Sequence, residues 1–502
     1  MQLWELCKGV EYTLIQGSEK THVKDIVYDS KKLTAGVMFV CIAGAVTDGH
    51  RYIPEAVEKG ASVIVVEGTR QVHLIPEGIT VIRVDSTRRA LAFFSAQYFG
   101  HPADKLITIG ITGTKGKTTI SYMIKQIAER AGIRTGLIGT IAAETGARKI
   151  PAVNTTPESY EIHRYMAEMV SSGCRCMVME VSSQGLKLDR TAGIIFDYAI
   201  FTNLSADHIG PNEHENFEEY LACKRMLFRQ CETGIVNIDD EHTEEILDGH
   251  TCSVMTLSIQ REAELTARDI EFLKERERLG MSFNVCGLME GKVRIGIPGR
   301  FSVYNALAAI AVCRELGISG EEILSGLEKV HVKGRVELLP VSEDFSVIID
   351  YAHNDVSTRS VLETLRRYGP ARLTAVFGCG GNRSRVRRYD IGREAGRLAD
   401  LSILTSDNPR FESVADINDD IKKGIAESGG RYMEIEDRKE AIAYAVTHAC
   451  RGEMIVLLGK GHEDYIETAG VKRHFSEHEA VKEIVSEIKS GARMMEEDLK
   501  LL

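Results

Sequence analysis

The chain has 502 residues, too many for one hydrophobic core, and its length suggests about three domains. A formal net charge of −11 argues against a nucleic-acid partner, and no apolar run approaches the roughly 20 residues that a membrane-spanning helix needs. The first residues lack the basic and apolar regions of a secretory signal, and the eleven cysteines are scattered without zinc-type spacing, so a cytoplasmic protein with reduced thiols is expected.

In chain order, the first hundred residues alternate short strands and helices. Residues 37–42 read as a strand, 53–59 as a helix ended by Gly60, 61–66 as a strand and 87–98 as a helix. Gly100-His-Pro102 marks the first boundary. The second region opens with an apolar run from Leu106 into a glycine turn. Strand-like runs follow over 176–181, 198–201 and 234–236, then charged, hairpin-like sequence over 267–298 and a helix over 303–316. Near His331-Val-Lys-Gly-Arg-Val-Glu337 the pattern changes, and a third βα alternation places strands at 346–350, 373–377, 401–405 and 454–458. Strands alternating with helices imply mainly parallel sheets whose C-terminal loops bind ligands. The expected fold is α/β in three domains: an N-terminal domain (1–100), a central parallel-sheet domain (101–332) and a C-terminal Rossmann-like domain (333–502).

The most specific signal is Leu106-Ile-Thr-Ile-Gly-Ile-Thr-Gly-Thr-Lys-Gly-Lys-Thr-Thr119. An apolar strand ends in a glycine turn, and a helical stripe of Ile120, Met123, Ile124 and Ile127 begins at once. Gly113, Thr114, Lys115, Gly116, Lys117, Thr118 and Thr119 thus form a phosphate cradle, because glycines let backbone N–H groups approach oxygens and the helix dipole favours negative charge. Ile111 stands where the longer Walker pattern has glycine, so the match is to the shorter Gly113–Thr118 form. Lys117 reaches the β/γ-phosphates in such a loop, and Thr118 ligates Mg²⁺.

Three downstream positions look chemical. Glu180 ends an apolar strand, where a P-loop domain keeps a Mg²⁺-binding carboxylate. His208, after the 198–201 strand, is either a metal ligand or a turn cap. Lys224 lies on the apolar stripe of Phe217, Tyr220, Leu221 and Phe228, so it is either paired with a carboxylate, snorkelling to solvent or modified.

The loop Gly113-Thr-Lys-Gly-Lys-Thr118 with Glu180, Asn203, Asp207-His208 and Lys224 resembles the Mur ligases of bacterial peptidoglycan synthesis, which are three-domain ATP-dependent amide-bond synthetases. The resemblance runs nearly end to end and is nearest to the tripeptide-synthetase (MurE) branch. It implies ATP and Mg²⁺ as cofactors, with Lys224 carbamylated by CO₂ (N6-carboxylysine) and holding a second Mg²⁺ with Glu180 and His208. It further implies UDP-sugar-peptide contacts at Ser30, Asn154, Thr155, Thr156, Ser182 and Arg190. Asn305, Arg335 and Asp350 would lie at ATP, and His353 would be a positioning group.

Asp407-Asn-Pro-Arg410 and Gly459-Lys-Gly-His-Glu463 resemble the loops that hold the incoming diamino acid in that branch. Meso-diaminopimelate differs from lysine by one carboxylate. Arg410 can take a carboxylate in a bidentate fork and Glu463 can pair with the neighbouring ammonium, with Arg388, Asp407, Asn408 and Gly459 around them. The sequence departs from the family at Gln184, at 209–214, at Asn354-Asp355 and at Tyr389-Asp390, positions that bear on the acceptor more than on the phosphate chemistry. The implied reaction passes the γ-phosphoryl group to the D-glutamyl carboxylate of UDP-N-acetylmuramoyl-L-alanyl-D-glutamate, and the amine of meso-diaminopimelate then attacks the acyl phosphate. A ligase for lysine or another amino acid, a folylpolyglutamate-type ligase and a noncatalytic nucleotide-binding subunit are the alternatives. Small-molecule substrates only, no membrane insertion and a monomer complete the expectation.

Overall fold

The computed structural model describes residues 1–44, 47–68, 72, 75–206, 209–210, 213–275 and 278–500, the side chains of 278, 489 and 491–500 excepted. They fall into two compact units: Met1–Thr266 with Cys286–Met289 and Tyr304–Gly326, and Ala267–Val285 with Glu290–Val303 and Leu327–Leu502.

The first unit opens with a five-stranded sheet in the order Thr13–Gln16, Thr80–Val84, Val63–Glu67, Met38–Val40, Ile26–Val27. All its pairs are parallel except that of the Thr13–Gln16 edge. The helix Thr87–Tyr98 is capped by Ser86, whose side chain accepts from the Arg89 N–H, and it buries Leu91 and Phe94 against Leu3, Leu6 and the sheet.

The second sheet of this unit carries the phosphate loop. Its parallel strands run in the order Ser253–Ser258, Cys231–Asn237, Phe196–Phe201, Ile107–Thr112, Cys176–Glu180, Thr135–Ile138. Two antiparallel strands, Ala142–Glu144 and Lys149–Pro151, then extend it. The central strand Ile107–Thr112 is buried on both faces, as an apolar run in a covered parallel sheet must be. Register decides the site: Glu180 pairs with Ile111 and Phe201 with Thr112, so three strand ends finish level beside Gly113.

The second unit has a six-stranded sheet in the order Glu337–Leu339, Ser346–Asp350, Met454–Leu458, Leu373–Phe377, Leu401–Leu404, Tyr432–Glu434, parallel except at its first strand. Side chains alternate faces along a strand, so Ile348 packs with Leu362, Leu365, Ile391 and Ile421, whereas Ile349 packs with Ile442, Val446, Val481 and Ile484. Both faces are therefore helix-covered, as expected of a Rossmann-like domain. The hairpin-like stretch also forms as expected, with Arg278–Gly287 antiparallel to Gly291–Ile295.

One fold residue carries a measurable pH signature. His163, on the helix Ser159–Ser171, is buried, and neither ring nitrogen finds a hydrogen-bond partner among the described residues. Burial, with His101 adding repulsion, lowers its pKa from 6.5 to about 3. The unfolded chain therefore binds the proton first as pH falls below 6.5, and stability is lost from there down to the folded pKa. At pH 5 the loss is about 2 kcal/mol. His163→Leu removes the charge and leaves no donor or acceptor unpaired, so its melting temperature should fall less between pH 7.5 and pH 5 than that of the parent. Equal acid shifts in calorimetry would refute this.

Candidate active site

The phosphate loop joins the strand Ile107–Thr112 to the helix Lys117–Arg130. Gly113 and Gly116 take φ of +143° and +91°, and a Cβ on them would stand 1.9 Å from Thr202 Oγ1 and 2.5 Å from Asn305 Oδ1. Glycine is required at both positions by conformation and by space. The following strand end clamps the loop: Thr114 N–H donates to Asn203 O (2.8 Å), Lys115 N–H to Asn203 Oδ1 (3.0 Å), and Thr202 Oγ1 to Lys115 O (2.7 Å). Lys117 Nζ arches back to Gly113 O (2.7 Å) and Thr114 O (3.1 Å), which holds its charge over the loop.

Glu180 is fully buried and accepts from Thr118 Oγ1 (2.8 Å), Thr140 N (2.9 Å) and Thr140 Oγ1 (2.8 Å). Thr118 and Glu180 thus present the oxygen-only donor set that Mg²⁺ takes, so these residues fit that ion. Asn305 is also buried beside Gly116, and its Nδ2 lacks an acceptor among the described residues, which leaves an amide donor for a nucleotide. Lys224 is buried at the position its stripe predicts. Its Nζ donates to Gly113 O (2.9 Å) and lies 4.6 Å from the Tyr220 ring centroid. His208, with Asp207, lies outside the described residues. Among the described residues, no group of three or more His, Cys, Asp and Glu side chains is placed to hold a metal.

Next to Glu180, Thr156 Oγ1 donates to Glu180 O (2.9 Å) and accepts from Ser182 N–H (2.9 Å), and Ser182 Oγ caps the helix Ser183–Lys187 through Gly185 N–H (3.0 Å). Thr155 Oγ1 meets Thr140 Oγ1 (3.1 Å), and Asn154 is exposed. Arg190 donates to Thr156 O (2.8 Å) and Glu158 Oε1 (3.1 Å), while Arg88 grips the same carboxylate (3.1 and 3.2 Å). Two guanidiniums share one carboxylate there, leaving a positive surplus suited to an anion. Ser30 opens a short 3₁₀ turn capped by Asp29 in the five-stranded sheet's domain. Thr140, Glu158, Arg88 and the buried pair His214 Nε2···Ser183 Oγ (2.9 Å) escaped the sequence reading, because sheet register and loop packing bring them in.

The second unit groups the other expected residues at the C-terminal ends of its strands. Both Asp350 oxygens accept backbone N–H groups, from Val336 and Ala352 (2.7 Å each), so this carboxylate fixes the turn bearing Arg335. The Arg335 guanidinium lies 4.7 Å from the Tyr351 ring centroid, and His353, exposed, turns its Nδ1 to Tyr351 O (2.8 Å). Gly459 follows the strand Met454–Leu458 and donates its N–H to Asp350 O (3.1 Å). Glu463 Oε2 accepts from Asn408 Nδ2 (2.9 Å) and Lys460 Nζ (3.2 Å), and Lys460 also meets Asp407 Oδ1 (3.4 Å). Arg410, at φ +52°, donates Nη1 to Gly381 O (2.7 Å) and sets Nε 3.5 Å from Glu467. Arg388 is buried and donates to Glu412 (2.7 Å) and Asp420 (3.4 Å).

A parallel sheet, a glycine loop opening a helix and a buried acid at the adjacent strand end define a P-loop nucleotide-binding protein. Three family descriptions match in succession: Mur ligase family, catalytic domain (22–99), Mur ligase middle domain (111–313), and Mur ligase, glutamate ligase domain (334–461). The chain belongs to the Mur ligase family, and its architecture is the family's three α/β domains. It is 43% identical to the UDP-N-acetylmuramoyl-L-alanyl-D-glutamate–2,6-diaminopimelate ligase of Clostridium tetani, over 97% of this chain and 100% of that one. The Clostridium perfringens ligase of the same name is 42% identical over 97% and 99%. A solved structure of a ligase of that name superposes with a TM-score of 0.68 at 27% identity, covering 97% of this chain and 99% of the other.

Proposed function

We propose that the protein is the ATP-dependent ligase that adds meso-2,6-diaminopimelate to UDP-N-acetylmuramoyl-L-alanyl-D-glutamate through an acyl phosphate, in peptidoglycan precursor synthesis. One observation carries the reading: the same chain holds a phosphate loop beside a buried acid and, on its second unit, a cluster offering both a guanidinium and carboxylates. The first serves ATP, the second the two charges of an amino acid. The near-full-length likeness to ligases of that name supports it.

Phosphoryl transfer requires in-line placement and neutralised charge, which the loop N–H groups and Lys117 supply. Mg²⁺ would add charge neutralisation at the phosphates, held by Thr118 and Glu180, and a second ion would be held by carbamylated Lys224 with Glu180 and His208. Carbamylation of Lys224 joins CO₂ to the neutral amine with loss of a proton; full burial supports it, since a buried ammonium is costly and a carbamate is an oxygen ligand. Asn305 orients the adenine side, and Arg335 stands on the turn that Asp350 fixes. Ser30, Asn154, Thr155, Thr156, Ser182 and Arg190 receive the UDP-linked peptide. Arg410, Asn408, Asp407, Gly459 and Glu463 take the diamino acid, whose free amine attacks the activated carbonyl and expels phosphate. Arg388 supports that loop through Glu412. We place the domain limits near residues 100 and 332, and the enzyme as a cytoplasmic monomer. No helix among the described residues is long and apolar enough to cross a membrane.

Phosphate release from ATP should require both UDP-N-acetylmuramoyl-L-alanyl-D-glutamate and meso-diaminopimelate. Release with nucleotide alone, or with neither acceptor needed, would overturn the reading. Within it, Glu158→Gln removes the anion that aligns Arg190 and Arg88, so the KM for the UDP-linked substrate should rise roughly 10-fold with that for ATP unchanged. Parallel changes in both KM values would contradict this.

A further inference from the structure

Lys460 has no part in the chemistry assigned above, yet it is the centre of the amino-acid cluster. It is fully buried, on the loop after the strand Met454–Leu458. A buried lysine persists only where oxygens replace its water. Here three do: Asn408 Oδ1 (3.1 Å), Glu463 Oε2 (3.2 Å) and Asp407 Oδ1 (3.4 Å), with the Tyr465 ring centroid 5.5 Å away.

Each contact has a directional consequence. An ammonium only donates, so it fixes the Asn408 amide with its oxygen toward Lys460, and the Glu467 N–H donates to that same oxygen (2.9 Å). A flipped amide would set NH₂ against two donors. The fixed orientation aims Asn408 Nδ2 at Glu463 Oε2 (2.9 Å). Both protein bonds to Glu463 therefore end on Oε2, and Oε1 has no partner among the described residues. Two carboxylates, Asp407 and Glu463, share one ammonium, so the cluster keeps a surplus negative charge. The neighbouring Arg438–Glu477 pair (2.7 Å) closes its own charge and does not cancel it.

Resting on the ligase reading, we propose that Lys460 is a positioning residue for amino-acid specificity: it pins Asn408 and one oxygen of Glu463, so that Glu463 Oε1 receives the ammonium of the incoming amino acid. Without Lys460, Asp407 and Glu463 repel one another and Asn408 is released to rotate.

The test compares wild type, Lys460→Met, Lys460→Arg, Glu463→Gln and the Lys460→Met/Glu463→Gln double variant in full-length enzyme, by steady-state phosphate release. Lys460→Met should raise the KM for meso-diaminopimelate roughly 10- to 100-fold, with kcat and the KM values for ATP and the UDP-linked dipeptide unchanged. Lys460→Arg keeps the charge and the fold but its fork cannot serve three oxygens from one point, so it should raise the same KM. The double variant should be no worse than Glu463→Gln, because Lys460 acts through that carboxylate. A further variant, Lys460→Ala, leaves room for a small cation, so methylammonium should lower its KM for meso-diaminopimelate and methanol should not. An unchanged amino-acid KM, a common rise in all three KM values, or additive effects in the double variant would each overturn the role of Lys460 alone. Wild-type enzyme silent with all three substrates would overturn the ligase reading and this proposal with it.

Discussion

Lys117→Met should lower kcat for phosphate release by roughly 10²–10³-fold, the cost of removing one preorganised donor from a developing anion. Methionine keeps the aliphatic stem and the helix start, so folding should be retained. The ammonium is already fixed over the loop by the Gly113 and Thr114 carbonyls, so no reorganisation is needed before it meets phosphate oxygens. Lys117 is assigned to phosphate and not to the amino acid, so the KM for the diamino acid should not move. A loss under tenfold, or one matched by a change in amino-acid KM, would show that Lys117 is only structural.

The second large effect is expected at Arg410. Its backbone is pinned on both sides, with N–H to Glu467 O (3.0 Å) and C=O from Ala469 N–H (2.6 Å), in the left-handed region at φ +52°. Gly381 O takes Nη1 and Glu467 lies by Nε, while Nη2 has no hydrogen-bond partner among the described residues and is the donor proposed for a ligand carboxylate. Arg410→Asn is the suitable replacement, because asparagine tolerates that conformation and removes the charge. The KM for meso-diaminopimelate should rise roughly 10- to 100-fold. Lysine, lacking the distal carboxylate, should be used no worse than before, so discrimination collapses by the same factor. Preference retained in the variant would place carboxylate recognition elsewhere.

The parts of the site that sequence made legible are those with local causes. Strand, glycine turn and helix around Gly113–Thr119 are contiguous, and their geometry is set by conformational limits that two glycines satisfy. The burial of Lys224 followed from helical periodicity around Phe217, Tyr220 and Phe228. Glu180 was visible because a charge ends an apolar run. What stayed hidden depends on register and packing between distant segments. Thr140 supplies two of the three donors on Glu180, yet it belongs to the loop after the Thr135–Ile138 strand and carries no motif. Lys460 drew no reading of its own, since no pattern in Gly459-Lys-Gly-His-Glu463 announces that its ammonium is sealed among oxygens. Arg388 was expected at the ligand by resemblance; its ion pairs with Glu412 and Asp420 join segments distant in sequence and carried no local signal. The short edge strand Thr13–Gln16 also went unread: it is half exposed and its register shifts between Leu14 and Gln16, which erases the alternation that signals a strand.

The central claim is that this ligase joins a diamino acid with a second carboxylate to a UDP-linked dipeptide. One incubation tests it most directly: ATP, Mg²⁺ and UDP-N-acetylmuramoyl-L-alanyl-D-glutamate with equal concentrations of meso-diaminopimelate and L-lysine, the product identified by mass spectrometry. The account predicts a product extended by diaminopimelate, with ADP and phosphate formed in equal amounts. A product extended by lysine, or nucleotide hydrolysis without any extended product, would contradict it.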